Sequence, residues 1–263
     1  MAFRGFNSKF PVYEVITPQT NLSFLLRSLN VQEEERIKGS LVTPTKITEH
    51  LNRCIFDTLV EKPDKIKTFN DFLETVTTKD RDALLYGLYH ITYDEIRNYD
   101  VKCGTCKKEY SVTIEASSTF NINVYPGDDI LKKKARFELP ITKGVFVSVK
   151  QPSLKDELHA LKTFSNRAGV TVEVLTETLI IDCFEQDNAE ANPPDLYDDR
   201  LDIIDAYLSL PARDKRMIFN KYMEEFGNYG IDLKMKSFCT NCGADEIIII
   251  DLLEQFFRMV FSN

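Results

Sequence analysis

The sequence contains no tryptophan and only three histidines, His50, His90 and His159, among its 263 residues. None of the three lies near a serine or cysteine in a recognisable nucleophile motif, and neither standard phosphate-binding glycine loop occurs. Acidic side chains are plentiful, but no two of them are marked out as an acid–base pair. The sequence thus gives no positive indication of catalysis, and we expect a protein that is not an enzyme and has no small-molecule substrate.

Long hydrophobic runs are also absent. No stretch approaches the roughly 20 apolar residues that span a bilayer, and the first residues lack the apolar core of a signal peptide. We therefore expect no membrane span and a cytosolic protein with reduced thiols. The net charge of −8 argues against a general nucleic-acid binder, and we interpret the basic run Lys132–Lys134 with Arg136 as a solvated turn.

Four of the six cysteines form two Cys-x-x-Cys pairs, Cys103 with Cys106 and Cys239 with Cys242. Each pair stands beside a run typical of a β-strand. The two-residue spacer lets both sulfurs of a tight turn converge on one ion, and a glycine in or beside the turn eases it. Two such pairs supply four thiolates, which suits a tetrahedral Zn²⁺ site with no open coordination position. We therefore predict that these four cysteines bind a structural zinc ion.

Two other interpretations of the pairs stay open. A redox dithiol would place its first cysteine at a helix N-terminus, whereas the residues after Cys106 alternate like a strand. The pairs could also pack without metal. Catalytic zinc would need an open coordination position, which four cysteines do not leave. The single cysteines Cys54 and Cys183 lie in apolar helical patterns, and we expect both to be core residues.

The segments predict an α+β fold in which the two Cys-x-x-Cys β-knuckles form a split zinc ribbon, with helical segments before and between them. The entropy cost of closing the long loop between the knuckles rises only logarithmically with its length, and a zinc site worth about 10 kcal/mol could offset it. The predicted parts are 1–45 (N-terminal β-hairpin and helix start), 46–100 (helical region), 101–150 (first zinc knuckle and β-strands), 151–230 (helical insertion) and 231–263 (second zinc knuckle, strand and C-terminal helix).

Periodicity and turn signals also predict individual elements. Strands are expected at residues 12–16, 22–26 and 144–149, and helices at 31–37, 47–60, 69–76, 79–91, from 153 onward, 172–184, 201–208 and 212–226. The strongly apolar and aromatic segment 252–261 has two interpretations. It docks into the protein's own core, or it offers a surface to a partner.

Short motifs spread along most of the chain carry a family resemblance. They are Tyr13–Pro18, Leu25–Arg27, Val31–Glu35, His50–Ile55, Tyr93–Ile96, Cys239–Gly243 and Phe256–Arg258. Together they resemble the baseplate proteins of T-even-type contractile-tailed bacteriophages, in the group of baseplate hub and hub-assembly proteins. The turn after the first motif departs from the family, with Gln19 and Asn21 where serine and glycine would be commoner.

The resemblance implies a non-enzymatic structural or assembly component of the tail baseplate hub. Its partners would be other baseplate hub or wedge proteins, and its location the host cytoplasm during assembly and the virion tail baseplate. Two alternatives belong to other classes. One is a regulatory zinc-ribbon protein acting through protein or nucleic-acid contacts, and the other is an enzyme with a structural zinc ribbon.

Overall fold

The computed structural model describes residues 10–39, 43–93, 97–114, 121–164, 167, 169–187 and 195–249. The helices are α1 (Val31–Gly39), α2 (Pro44–Thr58), α3 (Phe69–Thr75), α4 (Thr78–Tyr93), α5 (Leu154–Phe164), α6 (Val172–Leu179), α7 (Arg200–Ser209) and α8 (Ala212–Tyr222), the last continued by a π-helical turn at Met223–Gly227. The strands are β1 (Val12–Ile16), β2 (Ser23–Arg27), β3 (Leu59–Glu61), β4 (Arg97–Lys102), β5 (Glu109–Ile114), β6 (Asn121–Asn123), β7 (Lys134–Glu138), β8 (Val145–Lys150), β9 (Ile181–Gln186), β10 (Asp195–Tyr197), β11 (Gly230–Asp232), β12 (Lys234–Phe238) and β13 (Asp245–Ile249).

This mixture of helices and small sheets confirms the predicted α+β class. None of the described helices is long and apolar enough to cross a membrane. The aromatic segment 252–261, for which two interpretations were open, lies outside the described residues.

The first sheet is antiparallel, with strand order β1-β2-β3. A tight turn joins β1 to β2, and the Thr17 N–H donates to the Leu22 carbonyl across it at 2.9 Å. Asn21 in this turn has a φ of 51°. That left-handed conformation suits glycine and asparagine better than other residues, because most side chains clash there. Asparagine can therefore occupy the position at which the family resemblance led us to expect glycine.

Helices α1 to α5 and the first sheet enclose one hydrophobic core. Phe24 and Leu26 of β2 are fully buried in it, and the Phe24 ring meets Phe72 of α3 edge-on. Helix α4 lies directly against β1. The reason is Gly87, since a Cβ at this position would stand 2.4 Å from Val15 Cγ2. Glycine thus sets the distance between this helix and the sheet.

A second core forms on a four-stranded antiparallel sheet with strand order β10-β9-β8-β7. Val147 and Val149 of β8 and Phe184 of β9 pack there against Ile203 of α7 and Ile218 of α8. All five side chains are buried. Period-2 alternation puts these residues of the strands on the covered face, as expected for a sheet with one buried side.

The helix predicted at 172–184 is wrong in its second half. Helix α6 ends at Leu179, and the chain continues as β9, in which Cys183 pairs with Ser148 of β8. Cys183 is buried, as expected, but it lies on a strand. The segment expected as a helical insertion, 151–230, thus also supplies β9 and β10 to the sheet that β7 and β8 begin.

A buried polar network links the two cores. Gln19, in the turn between β1 and β2, donates from Nε2 to Gln151 Oε1 at 3.2 Å and to the Phe226 carbonyl at 3.2 Å. Its Oε1 accepts from Thr77 Oγ1 at 2.7 Å, and the Tyr222 hydroxyl donates to Gln151 Oε1 at 2.9 Å. Each of these buried groups has a partner, as it must to avoid an unrecovered desolvation cost. The first sheet is therefore fastened to the end of α8.

Candidate metal centre

The first Cys-x-x-Cys pair lies in the turn of the β4–β5 hairpin, whose strands pair from Arg97 with Ile114 to Lys102 with Glu109. The Cys103 N–H donates to the Lys108 carbonyl at 3.0 Å, and the Lys107 N–H donates to the Cys103 carbonyl at 3.1 Å. These two bonds close a tight loop around both sulfurs.

The second pair lies in the turn of the β12–β13 hairpin and repeats the same hydrogen bonds. The Cys239 N–H donates to the Ala244 carbonyl at 2.9 Å, and the Gly243 N–H donates to the Cys239 carbonyl at 2.8 Å. Gly243 has a φ of 71°, and the equivalent position in the first turn is Lys107, with a φ of 63°. The left-handed residue of the first turn is thus Lys107, a lysine in the position that glycine occupies in the second turn.

A small two-stranded sheet brings the hairpins into the same part of the molecule. Strand β11 pairs with β6, Gly230 opposite Asn123 and Asp232 opposite Asn121. Strand β6 follows the first hairpin along the chain, and β11 directly precedes the second. The hairpins are therefore neighbours in space, although more than a hundred residues separate them in sequence.

The sulfurs of Cys103, Cys106, Cys239 and Cys242 all lie within 4.8 Å of one another. Two distances between the hairpins, Cys103 Sγ to Cys242 Sγ and Cys106 Sγ to Cys239 Sγ, are both 3.7 Å. A tetrahedron with metal–sulfur bonds of about 2.3 Å has edges of about 3.8 Å. The four predicted residues therefore come together in an arrangement that fits one tetrahedral ion bound by four thiolates.

Backbone amides favour ionisation of Cys239. Burial, the largest single influence, opposes it. The N–H groups of Asn241 and Cys242, together with the Cys103 and Cys242 thiols, outweigh burial and lower the pKa of Cys239 to about 7. Because only thiolates bind metal, the lowered pKa favours the form of this sulfur that binds an ion near neutral pH.

The surroundings of Cys103, in contrast, oppose ionisation of its thiol. Its sulfur accepts from the N–H groups of Cys106 at 3.4 Å and Thr105 at 3.3 Å. The Cys106 amide is the largest influence and favours the thiolate, but burial and the hydrogen bond to Glu246 raise the pKa of Cys103 to about 12. A bound cation would be needed to hold this sulfur as a thiolate at neutral pH.

The surroundings of the sulfurs are largely apolar. Cys103 and Cys239 are buried beside Tyr110 of β5, and Val101 and Val112 pack against this group. Cys106 is half-buried and Cys242 is exposed. A site near the surface that is closed on its inner side suits an ion that holds chain segments together.

The remaining cysteines and the histidines lie apart from the four sulfurs. Cys54 is buried in α2, and burial raises the pKa of its thiol to about 12. Across the part of the chain that the structure describes, no second group of three or more histidine, cysteine or acidic side chains gathers its ligand atoms in this way.

Two polar side chains of the second hairpin also reach the first. Glu246 Oε1 accepts from the Gly104 N–H at 2.9 Å, and Asn241 Nδ2 donates to the Glu109 carbonyl at 3.1 Å. Sequence reasoning missed both contacts. A glutamate or an asparagine beside a cysteine turn is ordinary in sequence, and only the packing of the hairpins gives it a role.

Comparison with known proteins identifies the family. A family model described as T4 bacteriophage base plate protein matches residues 10–258, a span that includes both cysteine pairs. No curated protein and no solved structure matches the chain. The match extends over nearly the whole sequence. The chain therefore belongs to the T4 bacteriophage base plate protein family, and its role is that of a structural protein of the phage tail baseplate.

Proposed function

We propose that this chain is a non-enzymatic component of the baseplate hub that acts as a zinc-stabilised protein–protein scaffold. The observation that carries the proposal is the meeting of four cysteine sulfurs, from two distant hairpins, within 4.8 Å of one another. The hub location rests on the resemblance of the sequence motifs, and a structural role in the baseplate rests on the family.

Zinc is the ion that suits these ligands best. Four thiolates in tetrahedral arrangement are typical of structural Zn²⁺, and they leave no position at which water could be activated. Bound zinc would supply cohesion between the hairpins, because binding energy at such a site is also folding energy. The chain's own contribution is the pair of matching turns and the N–H groups of Thr105 and Cys106 that donate to the Cys103 sulfur.

The outer face of the second hairpin is a suitable surface for a partner. Phe238, Ile247 and Ile249 are 68%, 67% and 73% exposed. The strand register places them on one face, beside Lys234 and Lys236. A contiguous group of exposed apolar side chains is typical of interaction sites. We propose that other hub or wedge proteins of the baseplate bind here, during assembly in the host cytoplasm and in the virion tail.

Metal analysis of the purified native chain tests the zinc site. We expect one zinc ion per chain by mass spectrometry, and four additional reactive thiols after chelation. Cys239→Ser should lose the ion and lower the melting temperature, because one of four ligands is gone. Cys183→Ser is the matched control, since it removes a buried thiol that lies outside the group.

Two results would contradict the proposal. One is a native chain without metal and with a reversible disulfide between Cys103 and Cys106. The other is a Cys239→Ser protein with unchanged zinc content and melting temperature.

A further inference from the structure

Glu246 of β13 reaches from the second hairpin to the loop of the first. Its Oε1 accepts from the Gly104 N–H at 2.9 Å and lies 3.1 Å from Cys103 Sγ. Both of its carboxylate oxygens stand 3.4 Å from the point where a Cβ on residue 104 would be. The carboxylate therefore lies at van der Waals distance from the loop that carries Cys103 and Cys106.

Asn241 holds the other end of the same loop. Its Nδ2 donates to the Glu109 carbonyl at 3.1 Å, just after the turn closed by Cys103 and Lys108. The second hairpin thus contacts the first at Gly104, between the two cysteines, and at Glu109, after the turn. The donors of these two bonds are the Gly104 N–H and the Asn241 amide, so this clamp can form with or without a metal ion.

The carboxylate of Glu246 lies outside the ligand group. The group whose ligand atoms all lie within 4.8 Å of one another consists of the four cysteines alone. Four thiolates complete the coordination of a tetrahedral ion. Glu246 is therefore a positioning residue, in the outer layer that orients metal ligands and tunes metal affinity.

The negative charge of Glu246 destabilises a bound ion, although its hydrogen bond from the Gly104 N–H holds the loop in place. In the structure the Cys103 thiol donates to Oε1 at 3.1 Å. A sulfur that holds a metal carries no proton, so this contact then joins two electron-rich atoms. Four thiolates around a divalent cation already leave a net negative charge, and an adjacent carboxylate adds to it.

We infer that Glu246 and Asn241 clamp the hairpins together and that the Glu246 charge sets the rate at which the ion leaves, an inference that rests on the proposed zinc site. Asn241 only stabilises the site, whereas Glu246 both positions the loop and shortens metal residence. Substitution of the two residues should therefore change metal release in opposite directions.

Metal release from the full chain tests the inference. Each protein is loaded with Co²⁺, whose thiolate charge-transfer absorption reports four-sulfur coordination, and the decay is followed after addition of EDTA. Glu246→Gln keeps an oxygen for the Gly104 N–H and removes the charge, so we expect about tenfold slower release because the repulsion of the thiolates is relieved. Asn241→Ala should give about tenfold faster release with the same initial spectrum.

Asp245→Asn is the matched control, because it removes the same charge from the adjacent, exposed residue on the opposite side of the strand. Release from Glu246→Gln at the rate of Asp245→Asn would overturn the inference, even if Asn241→Ala failed to fold. An unchanged rate in folded Asn241→Ala would overturn the clamp. Absence of the thiolate spectrum in the unsubstituted chain would overturn the proposed zinc site itself, and this inference with it.

Discussion

Glu33 shows how a single buried acid is kept ionised. It lies in the first turn of α1, where its carboxylate accepts from Arg27 at 2.6 and 2.9 Å and from the Asn30 N–H at 2.9 Å. Asn30 Oδ1 accepts in return from the Glu33 N–H at 3.0 Å, which forms a reciprocal helix cap. Burial is the largest influence on this carboxyl and would raise its pKa. The bonds from Arg27 and Asn30 outweigh burial and lower the pKa of Glu33 below its ordinary value of 4.5.

A pH-dependent loss of stability should follow when Glu33 is replaced by glutamine. We expect Glu33→Gln to lower the free energy of unfolding by about 2 kcal/mol at pH 7, because a hydrogen-bonded charge is lost. The folded-state pKa lies below the unfolded one, so the charge contributes fully above about pH 4.5. That contribution disappears as the pH falls through the folded-state pKa. Urea denaturation from pH 7 to pH 3 measures the difference.

The control for this experiment is Glu35→Gln. Glu35 is exposed on the same helix and pairs only with Lys38 among the described ion pairs, so its replacement should have little effect at any pH. A stability difference for Glu33→Gln that stayed constant across the whole pH range would contradict the explanation.

At Gly87 in helix α4, helix propensity and packing predict opposite effects of the same substitution. Helix propensity alone predicts that Gly87→Ala stabilises the protein by about 1 kcal/mol. The packing predicts the opposite, because the new methyl group would stand 2.4 Å from Val15 Cγ2 and 3.3 Å from Leu26 Cδ1. Both neighbours are buried and have little room to move. We expect a loss of about 1–3 kcal/mol in the free energy of unfolding, measured by thermal or urea denaturation.

The opposite sign would show that α4 can move away from β1. Gly169→Ala is not a suitable control, because Gly169 has a φ of 80°. Lys79→Ala is the suitable control and should change the free energy of unfolding little. It lies in the first turn of the same helix, changes helix propensity only slightly, and its side chain is not part of the hydrophobic core.

Local pattern predicts elements well where one periodicity dominates. Helical spacing from Ile47 onward predicted α2, whose buried side includes Leu51 and Ile55, although the predicted end was too late because Leu59 begins β3. The prediction failed at Ile181–Gln186, a short run of mixed apolar and polar residues whose local pattern does not distinguish a helix from a strand. Pairing with β8 decides that the run is a strand, and β8 lies outside any local window.

The candidate site likewise combines features that local sequence predicts with features that only the folded structure reveals. The spacing of the cysteines was enough to predict that four sulfurs would meet, and they lie within 4.8 Å of one another. Their binding of zinc stays a prediction. Sequence could not indicate Lys107 as the left-handed residue, nor the bonds of Glu246 and Asn241 to the other hairpin. The bonds of Glu246 and Asn241 depend on how two hairpins that are far apart in the chain pack together, whereas the φ of Lys107 belongs to the local geometry of its turn.

In the described part of the chain, the two largest hydrophobic cores are joined by a third buried cluster on α5, α6 and α7 and by polar contacts. The network around Gln19 joins the first sheet to the end of α8, and the two cysteine hairpins join residues 97–114 to residues 234–249. The outer face of the second hairpin remains largely exposed at Phe238, Ile247 and Ile249. Because these side chains contribute little to the buried cores, a substitution on that face can change binding to other proteins without changing the fold.

Ile247→Lys tests whether that face binds a baseplate partner. The side chain is 67% exposed, so the free energy of unfolding should change by less than about 0.5 kcal/mol. A lysine at the centre of a buried interface should weaken partner binding by about 2 kcal/mol or more.

Ile16→Lys is the matched control, since Ile16 is 52% exposed on β1, remote in sequence from the hairpin. The measurement is the yield of infectious phage and of complete tails when each variant replaces the native chain. A normal yield with Ile247→Lys would show that assembly uses another surface, whereas a defect shared by both variants would point to solubility, because the two substitutions add the same charge at different places.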